Sequence, residues 1–236
     1  MQPTLVFDAD DTLWDEQGVL QGFEADIEAL LDRLCGRPSH FRERFIATEH
    51  ENIPALGYGF ASYIYSVGEA VTARPAWRRH RAAILARVAE LIEAVQTARP
   101  RLIDGVAPTL ELLATQQYRM VLLTRGIDHE QRHKLARSGL SPFFSEIRVV
   151  GRKDVDTYRD AARALGDPAG QALCMIGNSM RSDVGPALAA GWRAIHVPAP
   201  TEWAHDAAEA IEAARFRRVH GFTEVAELVE CAEFWV

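Results

Sequence analysis

Short runs of β-branched and large apolar residues alternate along this chain with longer stretches whose apolar positions recur every three or four residues. Five of the runs are continuous enough to be strands buried in a parallel sheet: Thr4–Phe7, Met120–Leu123, Ile147–Val150, Ala172–Ile176 and Ala194–Val197. The later runs are separated by helical segments, each closed by a glycine: Gly139, Gly166 and Gly191. A glycine just past a helix suits the left-handed conformation of a C-terminal cap. Strand, helix, glycine, strand, repeated, predicts an α/β fold with a parallel sheet and helices on both faces.

Residues 16–99 break that rhythm and show no buried strand. Phe23, Ile27, Leu30, Leu31 and Leu34 recur at helical spacing, and so do Ile84, Leu85, Val88, Leu91, Ile92 and Val95. This reads as an α-helical insert, with a turn between helices at Asn52–Phe60. Pro100 stops the last helix and returns the chain to the sheet. The domains expected are therefore a core of residues 1–15 and 100–236 and a helical domain of residues 16–99. After Thr201 the chain is rich in Ala, Glu and Arg and reads as helix, with a last strand or turn near Arg218–Phe222.

Composition narrows the classes. Of 236 residues, 48% are hydrophobic and 25% charged, an ordinary globular balance. Lys plus Arg number 26 and Asp plus Glu 33, a net charge of −7 with no basic block, so there is no footprint for a nucleic-acid backbone. The N-terminal apolar run is cut at once by acids, which argues against a secretory signal. The longest uncharged stretch, Asn52–Gly68, carries a proline and three glycines and falls short of a membrane span. Cys35, Cys174 and Cys231 form no CxxC pair and read as reduced, mostly buried thiols, so the expected location is cytoplasmic.

In open α/β sheets ligands bind beyond the carboxyl ends of the strands. Those ends carry Asp8, Asp10 and Asp11 after the first run, and Thr124, Arg125 and Gly126 after the second. Lys153 and Asp154 follow the third run, and Asn178, Ser179, Ser182 and Asp183 the fourth. Three carboxylates within four residues repel one another unless a cation or a proton intervenes. A hard, oxygen-only donor set suits Mg²⁺ better than zinc. Lys153 adds a charge able to hold phosphate oxygens or restrain the carboxylates, and Thr124 adds a hydroxyl donor. Asp11 reads as structural, bonding backbone beyond the strand, and Ser179 and Ser182 as turn residues.

In this order the motifs resemble those of the haloacid dehalogenase-like hydrolase superfamily. DADDT at 8–12 is similar to its DxDxT first motif, and Thr124, Lys153 and GNSMRSD at 177–183 stand in the places of the other three. The resemblance implies a Rossmann-like core with a helical cap, and a Mg²⁺-dependent phosphatase of a small phosphorylated metabolite. Asp8 would be the nucleophile that forms an aspartyl-phosphate. Asp10 would be the acid–base group, its pKa raised by its surroundings. Lys153, Thr124 and Arg125 would hold the phosphate. Asp8, Asp10, Asp183 and Asn178 would hold the metal; Asn178 departs from the family's usual acid, which leaves open whether it or Asp183 is the direct ligand. The partners implied are a small phosphorylated substrate, with no nucleic acid and no membrane.

Two other functions compete. A metal-independent 2-haloacid dehalogenase would use the same aspartate on carbon, but a halide leaves without a proton and Asp10 would have no task. A degenerate module binding a phosphorylated ligand is favoured only by Asn178. His129-Glu130-Gln131-Arg132-His133 matches HExxH, yet its polar setting and the lack of a third ligand read as an exposed helix. Phe60, Tyr63, Tyr65 and Trp77 read as core of the helical domain.

Overall fold

The computed structural model describes residues 2–201 and 213–235. In chain order the elements are β1 (Thr4–Phe7), α1 (Glu16–Cys35), α2 (Phe41–Leu56), α3 (Phe60–Thr72), α4 (Pro75–Arg78), α5 (Arg81–Thr97), α6 (Val106–Thr115), β2 (Arg119–Arg125) and α7 (Asp128–Ser138). They continue as β3 (Glu146–Val150), α8 (Val155–Leu165), β4 (Leu173–Gly177), α9 (Gly185–Ala189), β5 (Arg193–His196), β6 (Phe216–Arg218), α10 (Glu224–Glu230) and α11 (Ala232–Trp235). The helix expected after Thr201 falls largely outside the described residues.

The six strands form one parallel sheet in the order β3-β2-β1-β4-β5-β6. Side chains of successive strand residues point to opposite faces, so each strand supplies two cores. Leu5 and Phe7, with Leu122, Cys174 and Ile176, pack with Val106, Leu110 and Leu113 of α6 and Val225 of α10. Val6, Val121, Leu123 and Met175 pack on the other face with Tyr158 and Ala162 of α8 and Ala187 of α9. A strand covered on both sides must be apolar at every position, which is why β1 and β4 read as continuous runs. β3 departs from that expectation: it lies at the sheet edge and is only half buried along its length. Gly139, Gly166 and Gly191 all lie at positive φ, as their place after helices requires.

The chain divides into two compact units, residues 1–17 with 100–236 and residues 18–99. In the second unit Phe23, Ile27 and Leu31 of α1 meet Phe45 of α2, Tyr63 and Val67 of α3 and Ile84 of α5. Phe45 and Tyr63 pack edge to face with ring centroids 5.1 Å apart. Leu85 and Tyr65, counted among core positions by pattern, are exposed, as is Cys231. The turn expected at Asn52–Phe60 is shorter than its sequence suggests. α2 continues through Pro54 to Leu56 and stops at Gly57, whose φ of 73° breaks the helix while its N–H still bonds Ile53 O.

Candidate active site

β1 and β4 are neighbours in space, and the strand order reverses between them, with β2 and β3 on one side and β5 and β6 on the other. Such a switch point opens a crevice at the carboxyl edge. Asp8 is the first residue beyond β1. Its N–H donates to Ile176 O at 2.9 Å, extending the ladder by one bond and aiming the side chain from the sheet edge. The chain then turns tightly, Leu13 N–H bonding Ala9 O at 2.8 Å. Asp11 takes the left-handed conformation at φ 61°, which an Asp tolerates better than most residues.

Lys153 enters from beyond β3 and lies between two carboxylates. Its Nζ donates to Asp8 Oδ1 and, at 2.6 Å, to Asp183 Oδ1, and all three side chains are buried. Asp183 is carried by a single π-helical turn, Met180–Val184, that follows β4. The turn is held by Ser182 N–H on Ser179 Oγ at 3.0 Å and by Tyr158 Oη on Ser182 O at 3.0 Å. Asp183 Oδ2 accepts from Ser179 N–H at 3.0 Å. The carboxylate lies where a side chain at Gly177 would project: a Cβ there would overlap it and stand 2.7 Å from Asp183 Cβ.

Thr12, quoted in the first motif but given no task by sequence, joins the two acidic loops. Its Oγ1 is 3.1 Å from Asp8 Oδ2 and 3.1 Å from Asn178 Oδ1, and accepts from Asn178 N–H at 3.0 Å. One hydroxyl proton serves one of those oxygens at a time. The Asn178 carbonyl meets His196 Nε2 at 2.7 Å.

Asp10 lies beside this group but is held by other partners. Lys134 Nζ donates to Oδ1 at 2.6 Å, Trp14 Nε1 to Oδ1 at 2.8 Å, and Gln131 Nε2 to Oδ2 at 2.7 Å. Lys134 also pairs with Glu16 at 3.3 Å. α7 is thus not the exposed helix its sequence suggests. His129 and His133 are exposed, but Gln131 is buried and Lys134 mostly covered. Leu135 is the apolar residue of that face, fully buried in the core, and Gln131 and Lys134 stand four and one residues before it on a helix that follows β2.

Thr124 is buried at the end of β2 without joining the hydrogen bonds among Asp8, Lys153 and Asp183. Arg125 donates from Nη1 to Ser182 Oγ at 3.2 Å, which brings it against the π-helical turn. Asp11 Oδ1 accepts from Gln17 N–H at 2.7 Å, the backbone bond expected of it.

Burial pushes the Asp8 carboxyl up to about 6, against the pull of Lys153 and with the push of Asp183. Burial likewise lifts Asp11 to about 8. Asp10 runs opposite to expectation. Burial would raise it, but the Lys134 charge, with the hydrogen bonds of Lys134, Gln131 and Trp14, outweighs burial and holds the carboxyl below its ordinary value.

Among the ion pairs of the described residues, Asp8 and Asp183 share Lys153, and Asp10 and Glu16 share Lys134, so four carboxylates pair with two ammoniums. Among the described residues no three His, Cys, Asp or Glu side chains form a metal cluster by themselves. The side-chain oxygens of Asp8, Asp183 and Asn178 are hard donors, the type a divalent cation of the Mg²⁺ class takes. No helix among the described residues is long and apolar enough to cross a membrane.

Comparison with known proteins agrees with this geometry. A curated relative, the glyceraldehyde 3-phosphate phosphatase of Methanothermobacter thermautotrophicus, is 26% identical over 203 residues, 84% of this chain and 86% of that protein. The L-2-haloacid dehalogenase of Xanthobacter autotrophicus, with chloropropionic acid covalently bound, shares the fold at 17% identity with a TM-score of 0.66, over 98% of this chain and 100% of that one. A haloacid dehalogenase-like family hydrolase from Xanthomonas campestris matches with a TM-score of 0.80 and 31% identity over 97% of this chain and 91% of that one. The family model described as haloacid dehalogenase-like hydrolase matches residues 3–191. With most of its length inside that family model and a parallel sheet whose switch point gathers the family's acidic motifs, the chain belongs to the haloacid dehalogenase-like hydrolases.

Proposed function

We propose that this protein is a Mg²⁺-dependent phosphomonoester hydrolase acting on a small phosphorylated metabolite, with residues 18–99 as its cap domain. The observation that carries the reading is the buried Asp8–Lys153–Asp183 arrangement at the switch point, with Asp10 two residues from Asp8. An Asp8 oxygen attacks phosphorus, an acyl-phosphate bond forms and the ester P–O bond breaks. Asp10 gives its proton to the leaving oxygen, then takes one from the water that attacks the acyl-phosphate; inorganic phosphate leaves and the Asp8 carboxylate returns. Lys134 holds Asp10 ionised in the resting site, and the negative charge of a bound phosphate favours the protonated form. Lys153 keeps Asp8 oriented, and with Thr124 and Arg125 it would hold the transferring oxygens.

Asp8, Asp183, Asn178 and the Asp10 carbonyl are the groups that would hold Mg²⁺. The bound ion offsets the repulsion between an anionic nucleophile and an anionic phosphate. The name of the archaeal relative supports a three-carbon sugar phosphate as one substrate to try. The dehalogenase alternative leaves Asp10, with three donors trained on it, without a purpose.

The test is a hydrolysis screen of glyceraldehyde 3-phosphate, other sugar phosphates, nucleotides, phosphoglycolate and p-nitrophenyl phosphate, with and without Mg²⁺ and with Asp8→Asn as the blank. Release of phosphate that needs both Mg²⁺ and Asp8 supports the reading. Dehalogenation of 2-chloropropionate that survives a chelator would defeat it, as would phosphate release by Asp8→Asn at the wild-type rate.

A further inference from the structure

Both carboxylate oxygens of Asp10 are held by side chains from elsewhere in the fold. Oδ1 accepts from both Lys134 and Trp14, which uses its two in-plane lone pairs. Among the described residues Oδ2 accepts from Gln131, which leaves its second lone pair open there. Gln131 is brought there by a specific accommodation. Its amide also donates to Arg125 O at 3.1 Å and runs over Gly126, where a Cβ would meet Gln131 Nε2 at 2.9 Å and Cγ at 3.3 Å. Gly126 takes a φ of 145°, a conformation that disfavours any side chain there. The polar face of α7 and the glycine after β2 thus act together on one carboxyl group.

We infer that Lys134 and Gln131 are positioning residues for the acid–base step: by occupying three of the four acceptor sites of Asp10 together with Trp14, they leave the free lone pair of Oδ2 as the only place from which a proton is passed to the leaving oxygen. This rests on the reading of Asp10 as the acid–base group. A leaving group that departs readily as an anion gains little from a well-aimed proton, whereas a basic one depends on it. Loss of alignment therefore shows as a change in leaving-group dependence, whereas a general loosening of the scaffold slows all substrates alike.

The experiment compares kcat/KM for p-nitrophenyl phosphate and phenyl phosphate in Asp10→Asn, Lys134→Met, Lys134→Arg and Gln131→Met. General-acid contributions are commonly about 10²–10⁴-fold, so partial misalignment should lower the phenyl phosphate value by about tenfold or more while p-nitrophenyl phosphate falls by less than about threefold. Lys134→Arg should recover most of the phenyl phosphate rate. Gln131→Met removes a neutral donor and carries the same test if Lys134→Met does not fold. An Asp10→Asn variant that slows both esters equally overturns the acid–base reading and this inference with it. If Asp10→Asn discriminates between the esters but the Lys134 and Gln131 variants slow both alike, or slow neither, the inference fails and the reading of Asp10 stands.

Discussion

Gly177→Ala is the smallest change that sets two effects of opposite sign against each other. Gly177 is not in the left-handed region, so an alanine suits its backbone. Reduced freedom of the unfolded chain should then stabilise the protein by about 0.4–1 kcal/mol. The new methyl, however, overlaps the Asp183 carboxylate. Overpacking of a tight core costs about 1–3 kcal/mol. Relief by rotating Asp183 away would break its contacts with Lys153 and with Ser179 N–H, and breaking a buried ion pair costs about 3–5 kcal/mol. Less the gain, overpacking leaves a net loss of up to about 2.5 kcal/mol and rotation one of about 2–4.5 kcal/mol; the cheaper response governs, so a net loss of about 1–2 kcal/mol is expected, with a fall in hydrolysis. Urea denaturation followed by circular dichroism measures the first, and p-nitrophenyl phosphate hydrolysis the second. The decisive measurement is a double-mutant cycle with Asp183→Gly, which removes both the carboxylate and its Cβ. In that background Gly177→Ala should be neutral or stabilising. An equal loss in both backgrounds, or no loss in either, would refute the overlap argument.

Three further outcomes are expected. Lys153→Met leaves Asp8 and Asp183 facing each other in a buried site and should cost about 3–5 kcal/mol in urea, with much of that returned by adding Asp183→Asn. Hydrolysis should vanish in EDTA and return with Mg²⁺, and chelator-resistant hydrolysis of any phosphate ester would contradict the donor set described. In the helical unit, burial holds Glu24 above its ordinary carboxylate value despite its pairing with Arg42. A folded pKa above the unfolded one means that stability is lost as pH rises through that window. Glu24→Gln should therefore match the wild type near pH 4 and exceed it near pH 7, on the ordinary carboxylate scale, in urea midpoints at the two pH values; a gap that narrows with rising pH would contradict this.

The strands were legible because burial on both faces demands unbroken apolar runs, and β1 and β4 have them. β3 was found too, but its edge position could not be told from Glu146–Val150 alone, because strand order depends on the crossovers. Asp8, Lys153 and Asp183 were legible for a related reason: a strand's end is the one place where a run of apolar residues can hand a charged group to a crevice. Lys134 and Gln131 were hidden by the same logic. The covered face of α7 sends only Leu135 into the hydrophobic core; Gln131 and Lys134 on it meet a carboxylate instead, so hydrophobic periodicity has little to report. Without these two partners the sequence predicts a raised Asp10 carboxyl, and with them it is lowered. Tyr65 and Leu85 show the converse, since an apolar residue on a helix need not face inward.

The junction of Asp8 with Lys153 joins residues 145 positions apart, and Asp183 lies another 30 beyond. At typical synthesis rates the first strand leaves the ribosome about 10–30 s before the lysine that neutralises its aspartate. During that interval the nascent β1 carries an unpaired acid next to its most apolar residues, and cannot be buried without cost. Burial of the Asp8 end of β1 is therefore completed only by segments that follow it by 145 and 175 residues.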